Sequence, residues 1–194
     1  MAKQKLILPI NKCRITSGYK NTQYRKLFGF GHFGQDMTDK GRGQDYTVWG
    51  CGVGTVLEAG YDSKTGYTVV IRYNDCILTD GTVRDVIQRS WHFDSLNVKK
   101  GDKITKDTRI GKFGDTGSYA EGKHLHIEFD KDCNYPTYSP TFAGNTSIIK
   151  AGTDTTLNPT AVLYVKKSAP DYQSVIGSAQ SNCWSQADIQ FKQY

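Results

Sequence analysis

Short runs of apolar residues, each ended by glycine or a turn-forming pair, follow one another along the chain, and long apolar runs at helical spacing are missing. Residues 54–59 and 67–73 form the clearest pair, rich in the β-branched and aromatic residues that favour strands. Asp80-Gly81 lies between two further runs and is a strong β-hairpin signal. We therefore predict an all-β core with a mainly antiparallel sheet. Further core elements are predicted at residues 98–104, 109–113, 125–129 and 161–165, and a short helical turn at residues 24–28.

The chain of 194 residues is long enough for one ordinary domain, and it contains no visible internal repeat. Residues 133–156 are polar and contain prolines and glycines, which predicts a long surface loop of the kind that often borders a binding site. We predict one domain over residues 1–167 with a loop insertion at about residues 131–156. A C-terminal extension follows at residues 168–194, and the sequence does not indicate its role.

The formal net charge of +6 and the isoelectric point of about 9.0 predict attraction to polyanions. Nucleic acid and an anionic bacterial wall both fit the charge alone. The lysines and arginines are scattered, however, and do not form a concentrated patch with stacking aromatic residues. We therefore predict no nucleic-acid partner.

The cysteines exclude one common kind of zinc site, because the five of them form no CxxC pair and a thiolate cluster needs such pairs. Their odd number favours free thiols in a reducing compartment, with one or two disulfides as the alternative. The first residues contain no apolar stretch of about 7–15 residues, so we expect no secretory signal. No segment reaches the roughly 18 apolar residues of a membrane span.

Two short motifs contain three of the four histidines. His32 and Asp36 form an HxxxD pattern, and His124 and His126 form an HxH pattern on a predicted strand. Alternation along a strand places the two HxH imidazoles on one face, with their backbones about 6.6 Å apart. His92 lies between the motifs in sequence.

The HxxxD motif can share a metal only if its backbone bends. On a straight strand its ends would lie about 13 Å apart, whereas zinc bonds to nitrogen and oxygen are only about 2.0–2.2 Å long. Gly31 and Gly34 supply permissive backbone for such a bend. Two histidines and one carboxylate would then leave a fourth position for water, which is typical of a catalytic zinc site.

With these motifs in place, the chain resembles the lysostaphin/LytM-type zinc metallopeptidases, a family of peptidoglycan endopeptidases, over most of residues 15–129. The matches occur in the family's order and spacing. They are residues 15–19, the HxxxD motif at 32–36, residues 54–56 with 66–71, Trp91-His92-Phe93, residues 98–102, 110–111 and 114–117, and finally residues 124–128.

The resemblance implies that His32, Asp36 and His126 bind one zinc ion per chain. It also implies that His92 and His124 lie beside the activated water as acid/base pair and transition-state stabilisers. A histidine near its unperturbed pKa of about 6.5 can take and return a proton, and a second can hold an oxyanion. Which of the two is the base stays open. The implied fold is a small antiparallel β core whose long groove, roofed by loops, holds an extended peptide.

The chain departs from the family pattern at three places. Ser90 stands where a tyrosine is frequent, and Lys123 stands where a proline is common before HxH. The connection over residues 73–89 is longer than usual. These departures remove no predicted ligand or catalytic histidine, so we expect them to alter only the groove and the substrate.

Several neighbours of the motifs are further candidates. Trp91, Asp115, Thr116 and Tyr119 either contact the substrate or are explained by core packing and turn chemistry. Glu128 shares the face of the HxH histidines by alternation. It either orients one of them as a second-shell residue or faces solvent.

The predicted function is a zinc-dependent endopeptidase that hydrolyses peptide bonds in stem peptides or crosslinks of bacterial peptidoglycan. Anionic wall polymers are a further expected partner. We expect a phage or prophage product made in the cytoplasm, either an antimicrobial endolysin that acts after release or a virion-associated module. Two alternatives remain: a tail-associated structural or wall-binding module with little activity, and a metal- or nucleic-acid-binding domain suggested only by charge. The bond cut and the oligomeric state are not indicated.

Overall fold

The computed structural model describes residues 2–11, 13–28, 31–38, 45–137, 154–166 and 191–194. Within these ranges most of the regular secondary structure is strand, with two short helices. The elements in chain order are β1 Leu6–Ile7, β2 Arg14–Ser17, α1 Thr22–Phe28, β3 Gln35–Thr38, β4 Thr47–Trp49, β5 Gly54–Asp62, β6 Gly66–Ile77, β7 Val83–Leu96, β8 Lys103–Ile104, β9 Arg109–Phe113, β10 Leu125–Asp130, β11 Thr156–Leu157, α2 Pro159–Val162, β12 Leu163–Val165 and β13 Lys192–Gln193.

The main sheet contains ten strands, of which seven form the path β2-β3-β10-β7-β6-β5-β8. Strand β11 is added to β10, and β9 pairs with both β4 and β7. Every described pair in this sheet is antiparallel. The prediction of an all-β fold with a mainly antiparallel sheet is confirmed.

A second, small sheet was not predicted from the sequence. Strands β1, β12 and β13 pair in parallel and bring together segments from opposite parts of the chain. Leu6 lies beside Leu163, both are fully buried, and Phe191 packs into the same core just before β13. Residues 168–190 of the predicted C-terminal extension and residues 138–153 of the predicted loop insertion lie outside the described residues.

The predicted elements are confirmed. Residues 77–88 form the predicted hairpin, and the helical turn at 24–28 belongs to α1, where Asn21 Oδ1 accepts the Gln23 N–H at 2.8 Å. Within residues 98–104, Gly101-Asp102 forms a turn, with Gly101 at φ +92° and the Lys99 N–H bonded to Asp102. Strand β8 follows this turn directly.

Strand β10 is buried on both faces, and this places the site. Its core face carries Leu125, Ile127 and Phe129, all fully buried, as alternation predicts. Its other face carries His126 and Glu128, which are also buried. Because buried polar groups need partners, this face has to be matched by polar groups on the neighbouring strands β3 and β7.

Four of the five cysteines are described, and all four are free thiols: Cys13, Cys51, Cys76 and Cys133. Cys183 lies outside the described residues. Among the described helices, none is both long and apolar enough to cross a membrane.

Candidate metal centre and active site

The HxxxD segment is bent, as its spacing requires. His32 lies in the irregular segment before β3, whereas Asp36 lies within β3 and directly opposite His126 of β10. The bend brings His32 Nε2 to 3.2 Å from Asp36 Oδ1. The two motifs, which are distant in sequence, therefore meet at one point of the sheet.

Glycine is required at one of the two predicted positions in this segment, and for a different reason. A Cβ atom on Gly34 would lie 2.5 Å from the Ile127 carbonyl oxygen, 2.8 Å from His126 Nε2 and 2.9 Å from Glu128 Cγ. Gly31 has no neighbouring atom nearer than 3.7 Å. Gly34 therefore allows β3 to pass close to β10, whereas Gly31 has room for a side chain.

Three donor atoms converge at the meeting point. His32 Nε2 lies 3.1 Å from His126 Nδ1, and Asp36 Oδ1 lies 2.8 Å from His126 Nδ1 and 3.2 Å from His32 Nε2. Bonds of about 2.0–2.2 Å in a tetrahedron would set ligand atoms about 3.3–3.5 Å apart. The observed triangle is only slightly smaller. Two imidazoles and one carboxylate in this arrangement fit a zinc ion, with one position left open.

The charges at this point favour a cation. Burial alone would raise the pKa of Asp36, but the surrounding imidazoles of His32, His124 and His126 hold it well below its usual value. Burial lowers the pKa of His126, yet Asp36 and Glu128 outweigh burial and raise it to about 9. The metal-free site thus holds a proton where a metal ion would place its positive charge.

His92 lies beside this triad in a rare backbone conformation. Its φ is +66°, a value that residues other than glycine seldom adopt, and the residue is only 3% exposed. Its Nδ1–H donates to the Thr116 carbonyl at 2.9 Å, so Nε2 is the nitrogen free of a proton. Burial, together with the neighbouring His124 and His126, lowers the pKa of His92 to about 4 and keeps the ring neutral.

His124 completes the group from the residue before β10. Its Nδ1–H donates to the Gly122 carbonyl at 2.8 Å, and its Nε2 lies 3.7 Å from Asp36 Oδ1. The rings of His92 and His124 are 4.7 Å apart between centroids. The structure therefore brings together all five residues that the sequence singled out as ligands or catalytic groups.

Two aromatic rings pack against the ligand histidines. The Trp91 ring stacks on His126 with centroids 4.3 Å apart and an interplanar angle of 13°. Tyr24 of α1 stacks on His32 at 4.8 Å, and burial raises the pKa of its hydroxyl. Tyr24 was missed from the sequence, because only tertiary packing of the helical turn brings it to the site.

The solvent-facing alternative for Glu128 is wrong. Its side chain is fully buried, and its Oε1 lies 3.2 Å from His126 Nε2. Arg89 and Asp130 lie behind it, and both are buried. Because β10 is covered on this face, the carboxylate can meet only protein groups there.

The predicted substrate residues differ in whether the fold leaves their side chains accessible to a ligand. Thr116 uses its hydroxyl to join the Phe93 carbonyl at 2.6 Å and the Tyr67 N–H at 3.0 Å, and its own carbonyl holds His92. Asp115 and Tyr119 are exposed, Tyr119 by 46%. We find Thr116 engaged with protein groups, whereas Asp115 and Tyr119 are accessible to a ligand.

An open groove of about 260 Å³ is lined mainly by residues of β5 and β6. Trp91 lines it while stacking on His126, although the Trp91 ring is only 4% exposed. The other lining residues come from β5, β6, the turn between them, and the segment after β10: Glu58, Ala59, Gly60, Tyr61, Asp62, Thr65, Thr68, Val70 and Thr137.

Two characterised proteins are similar to parts of the chain. Peptidoglycan DD-endopeptidase ShyC of Vibrio cholerae is 27% identical over 135 residues, which are 66% of this chain and 27% of that protein. Stage II sporulation protein Q of Bacillus subtilis is 33% identical over 101 residues, which are 51% of this chain and 32% of that protein. The chain therefore spans less than a third of the length of these curated relatives.

Solved structures agree with the fold. Lysostaphin of Staphylococcus simulans, described as an antimicrobial peptidase, superposes with a TM-score of 0.56 at 23% identity, over 89% of this chain and 57% of that one. A zinc-containing peptidase from Vibrio cholerae superposes with a TM-score of 0.50 at 27% identity, over 66% of this chain and 37% of that one. The family model for peptidase family M23 matches residues 31–137, which are more than half of the chain. With the bent HxxxD segment, the HxH strand and the sheet that joins them, the chain belongs to peptidase family M23.

Proposed function

We propose that this protein is a zinc-dependent endopeptidase that hydrolyses peptide bonds in bacterial peptidoglycan. One observation carries the proposal. Three donor atoms, from His32, Asp36 and His126, lie 2.8–3.2 Å apart, and the rings of His92 and His124 lie beside them. Three metal ligands with two histidines beside them form a catalytic arrangement. A sheet with a purely structural role does not require it.

In each ligand histidine, the ring nitrogen that faces away from the metal site donates a hydrogen bond. This leaves the other nitrogen to coordinate a metal ion. His32 Nδ1–H donates to the Gly18 carbonyl at 2.9 Å, so its Nε2 presents a lone pair. His126 Nε2–H donates to Glu128, so Nδ1 is the nitrogen left to coordinate a metal ion once its own proton has been displaced. A zinc ion held there would act as a Lewis acid and lower the pKa of a coordinated water to about 7.

We assign the proton-accepting role to His92. Its Nε2 carries no proton, because Nδ1 donates to Thr116 and the pKa of about 4 keeps the ring neutral. His124 lies on the other side of the site, with its Nε2 3.7 Å from Asp36 Oδ1. We assign it the second role, which is to hold the developing oxyanion through a hydrogen bond.

The choice of peptidoglycan follows from the relatives and the open groove. One relative is named as a peptidoglycan DD-endopeptidase, and an extended peptide fits an open groove better than a closed pocket would. The bond itself is either a D-alanyl crosslink or a glycyl bridge. Digestion of walls with known crosslink chemistry, followed by identification of the new amine ends, distinguishes the two.

Zymography on purified walls tests the activity. We expect clearing that a chelator abolishes and that added zinc restores. His126→Ala should lose the metal, whereas His92→Ala should keep the metal and lose about 100-fold or more in rate. Unchanged lysis by the His92 variant would contradict its assigned role, and full lysis in chelator would contradict the zinc requirement.

A second function has one observation in its favour. The sporulation protein carries a name that states no peptidase activity, and a structure containing it is described as a pore-forming complex. On this alternative the chain is a structural or wall-binding module. Wall binding without release of amine ends, by protein shown to contain zinc, would support it.

The biological setting stays a prediction. Origin in a phage or prophage, action as an endolysin or as part of a virion, and binding to anionic wall polymers belong to the proposal. Host-range lysis assays on living cells and on isolated walls address them directly.

A further inference from the structure

The buried face of β10 carries a charged cluster behind the metal ligands. Glu128 follows His126 on the same face, and its Oε1 accepts the His126 Nε2–H at 3.2 Å. The Glu128 side chain has no exposed surface. The metal-facing Nδ1 of His126 and this carboxylate therefore lie at opposite ends of one ring.

Arg89 holds that carboxylate from the neighbouring strand. It lies directly opposite Glu128 in the register of β7 and β10, with Nη1 3.5 Å from Glu128 Oε2. Its Nη2 bonds to Asp130 at 2.9 Å and its Nε donates to the Pro136 carbonyl at 2.7 Å. The guanidinium is only 1% exposed, so its planar group is fixed on three sides.

Arg89 lies between the carboxylates of Glu128 and Asp130, and all three side chains are buried. Charged groups in a protein interior need partners. The His126 Nε2–H is one such partner of Glu128, and this hydrogen bond links the cluster to the metal site.

Packing prevents His126 from turning away. The Trp91 ring covers one side of the imidazole, and Gly34 brings β3 close to His126 Nε2. Without a carboxylate at 128, the ring would have to bury an unpaired N–H or move its proton to Nδ1, the atom that faces the metal site. An unpaired buried donor costs about 1–3 kcal/mol, and a proton on Nδ1 blocks coordination.

We propose that Glu128, held by Arg89, is a positioning residue that fixes the His126 tautomer with Nδ1 free for the metal. The proposal rests on the metal site of the proposed function. It extends that function by giving a role to a carboxylate that does not itself bind the metal.

Metal affinity of the whole chain tests the proposal without substrate. Glu128→Gln keeps the size of the side chain and removes its charge. We expect it to bind zinc 10–100-fold more weakly in competition with a chromophoric chelator. The visible spectrum of the cobalt(II) form should also change, which a general loss of stability would not cause. Asp107→Asn, a carboxylate-to-amide change in an exposed ion pair with Lys106, should leave both readouts unchanged.

A measurement on the unmodified protein covers the case in which the variant does not fold. In the zinc-loaded chain, ¹⁵N resonances of His126 should show a proton on Nε2 and none on Nδ1. A proton on Nδ1, or zinc affinity in Glu128→Gln equal to that of the parent, would overturn the proposal. A chain that binds zinc with this tautomer but does not cut walls would instead contradict the proposed function alone.

Discussion

Asp36 and His126 face each other across neighbouring antiparallel strands, with Asp36 Oδ1 2.8 Å from His126 Nδ1. The carboxylate and Glu128 together raise the pKa of His126 to about 9 in the metal-free chain. At neutral pH His126 is therefore protonated, and a metal ion has to displace the proton on Nδ1. Metal binding and proton release are thus coupled at this pair.

This coupling predicts how zinc affinity depends on pH. Protons compete with the metal below pH 9, so the apparent affinity should rise by about tenfold per pH unit from pH 7 towards 9, and the contribution of His126 should then level off. Asp36 adds no slope there, because its pKa lies well below its usual value. Chelator competition at a series of pH values measures the slope. A flat profile between pH 7 and 8.5 would show that His126 is not protonated in the free chain.

The two glycines of the HxxxD segment give a matched pair of variants. Gly34→Ala places a methyl group 2.8 Å from His126 Nε2 and against the Ile127 carbonyl, so β3 must move away from β10. We expect it to lose most zinc affinity and to destabilise the fold by about 1–3 kcal/mol. Gly31→Ala has room for its Cβ and should keep both properties. Zinc titration and thermal unfolding check the pair, and equal behaviour of the two variants would contradict the close-packing explanation.

The backbone of His92 stores strain that a substitution can release. Its φ of +66° costs a residue with a Cβ atom about 1 kcal/mol, and glycine does not bear this cost. Both His92→Gly and His92→Ala should be inactive and should keep zinc. His92→Gly should have the larger free energy of unfolding by about 1 kcal/mol, measured in urea with matched m-values. A more stable alanine variant would mean that the position relaxes to a negative φ.

Trp91 is expected to act on the metal site as well as on the groove. Its ring stacks on His126, so Trp91→Ala should leave a cavity, destabilise the chain by about 3–5 kcal/mol and weaken zinc binding. Trp91→Phe keeps an aromatic ring against the imidazole and should retain most zinc affinity. If zinc affinity in both variants equals that of the parent and only KM rises, Trp91 is a substrate residue alone.

The HxxxD and HxH motifs, taken together with the family resemblance, made the ligands predictable from the sequence. Alternation along β10 also predicted that Leu125 and Ile127 face the core and that Glu128 shares the face of His126. Whether that face was buried could not be predicted, since it depends on Arg89 and β7 across the sheet. Likewise the reason for Gly34 lies in β10, where Ile127 and His126 leave no room for a Cβ atom.

The other features that could not be predicted from the sequence depend on contacts between distant segments. Tyr24 reaches His32 only because α1 folds back over the segment before β3, and its position has no spacing rule relative to the motif. The small parallel sheet joins β1 to β12, and two-residue strands carry no periodic pattern. The turn within residues 98–104 shows the opposite case, because the local pair Gly101-Asp102 was enough to predict it.

The matched region at residues 31–137 omits β2, which pairs with β3 and so flanks the strand that carries Asp36. An excised fragment of that region would leave the outer edge of β3 with unsatisfied N–H and C=O groups and would uncover Met37, which is now fully buried. Such an edge invites pairing between copies. A shortened version of this chain therefore has to begin ahead of Arg14, or it will be prone to aggregate before it can bind a metal.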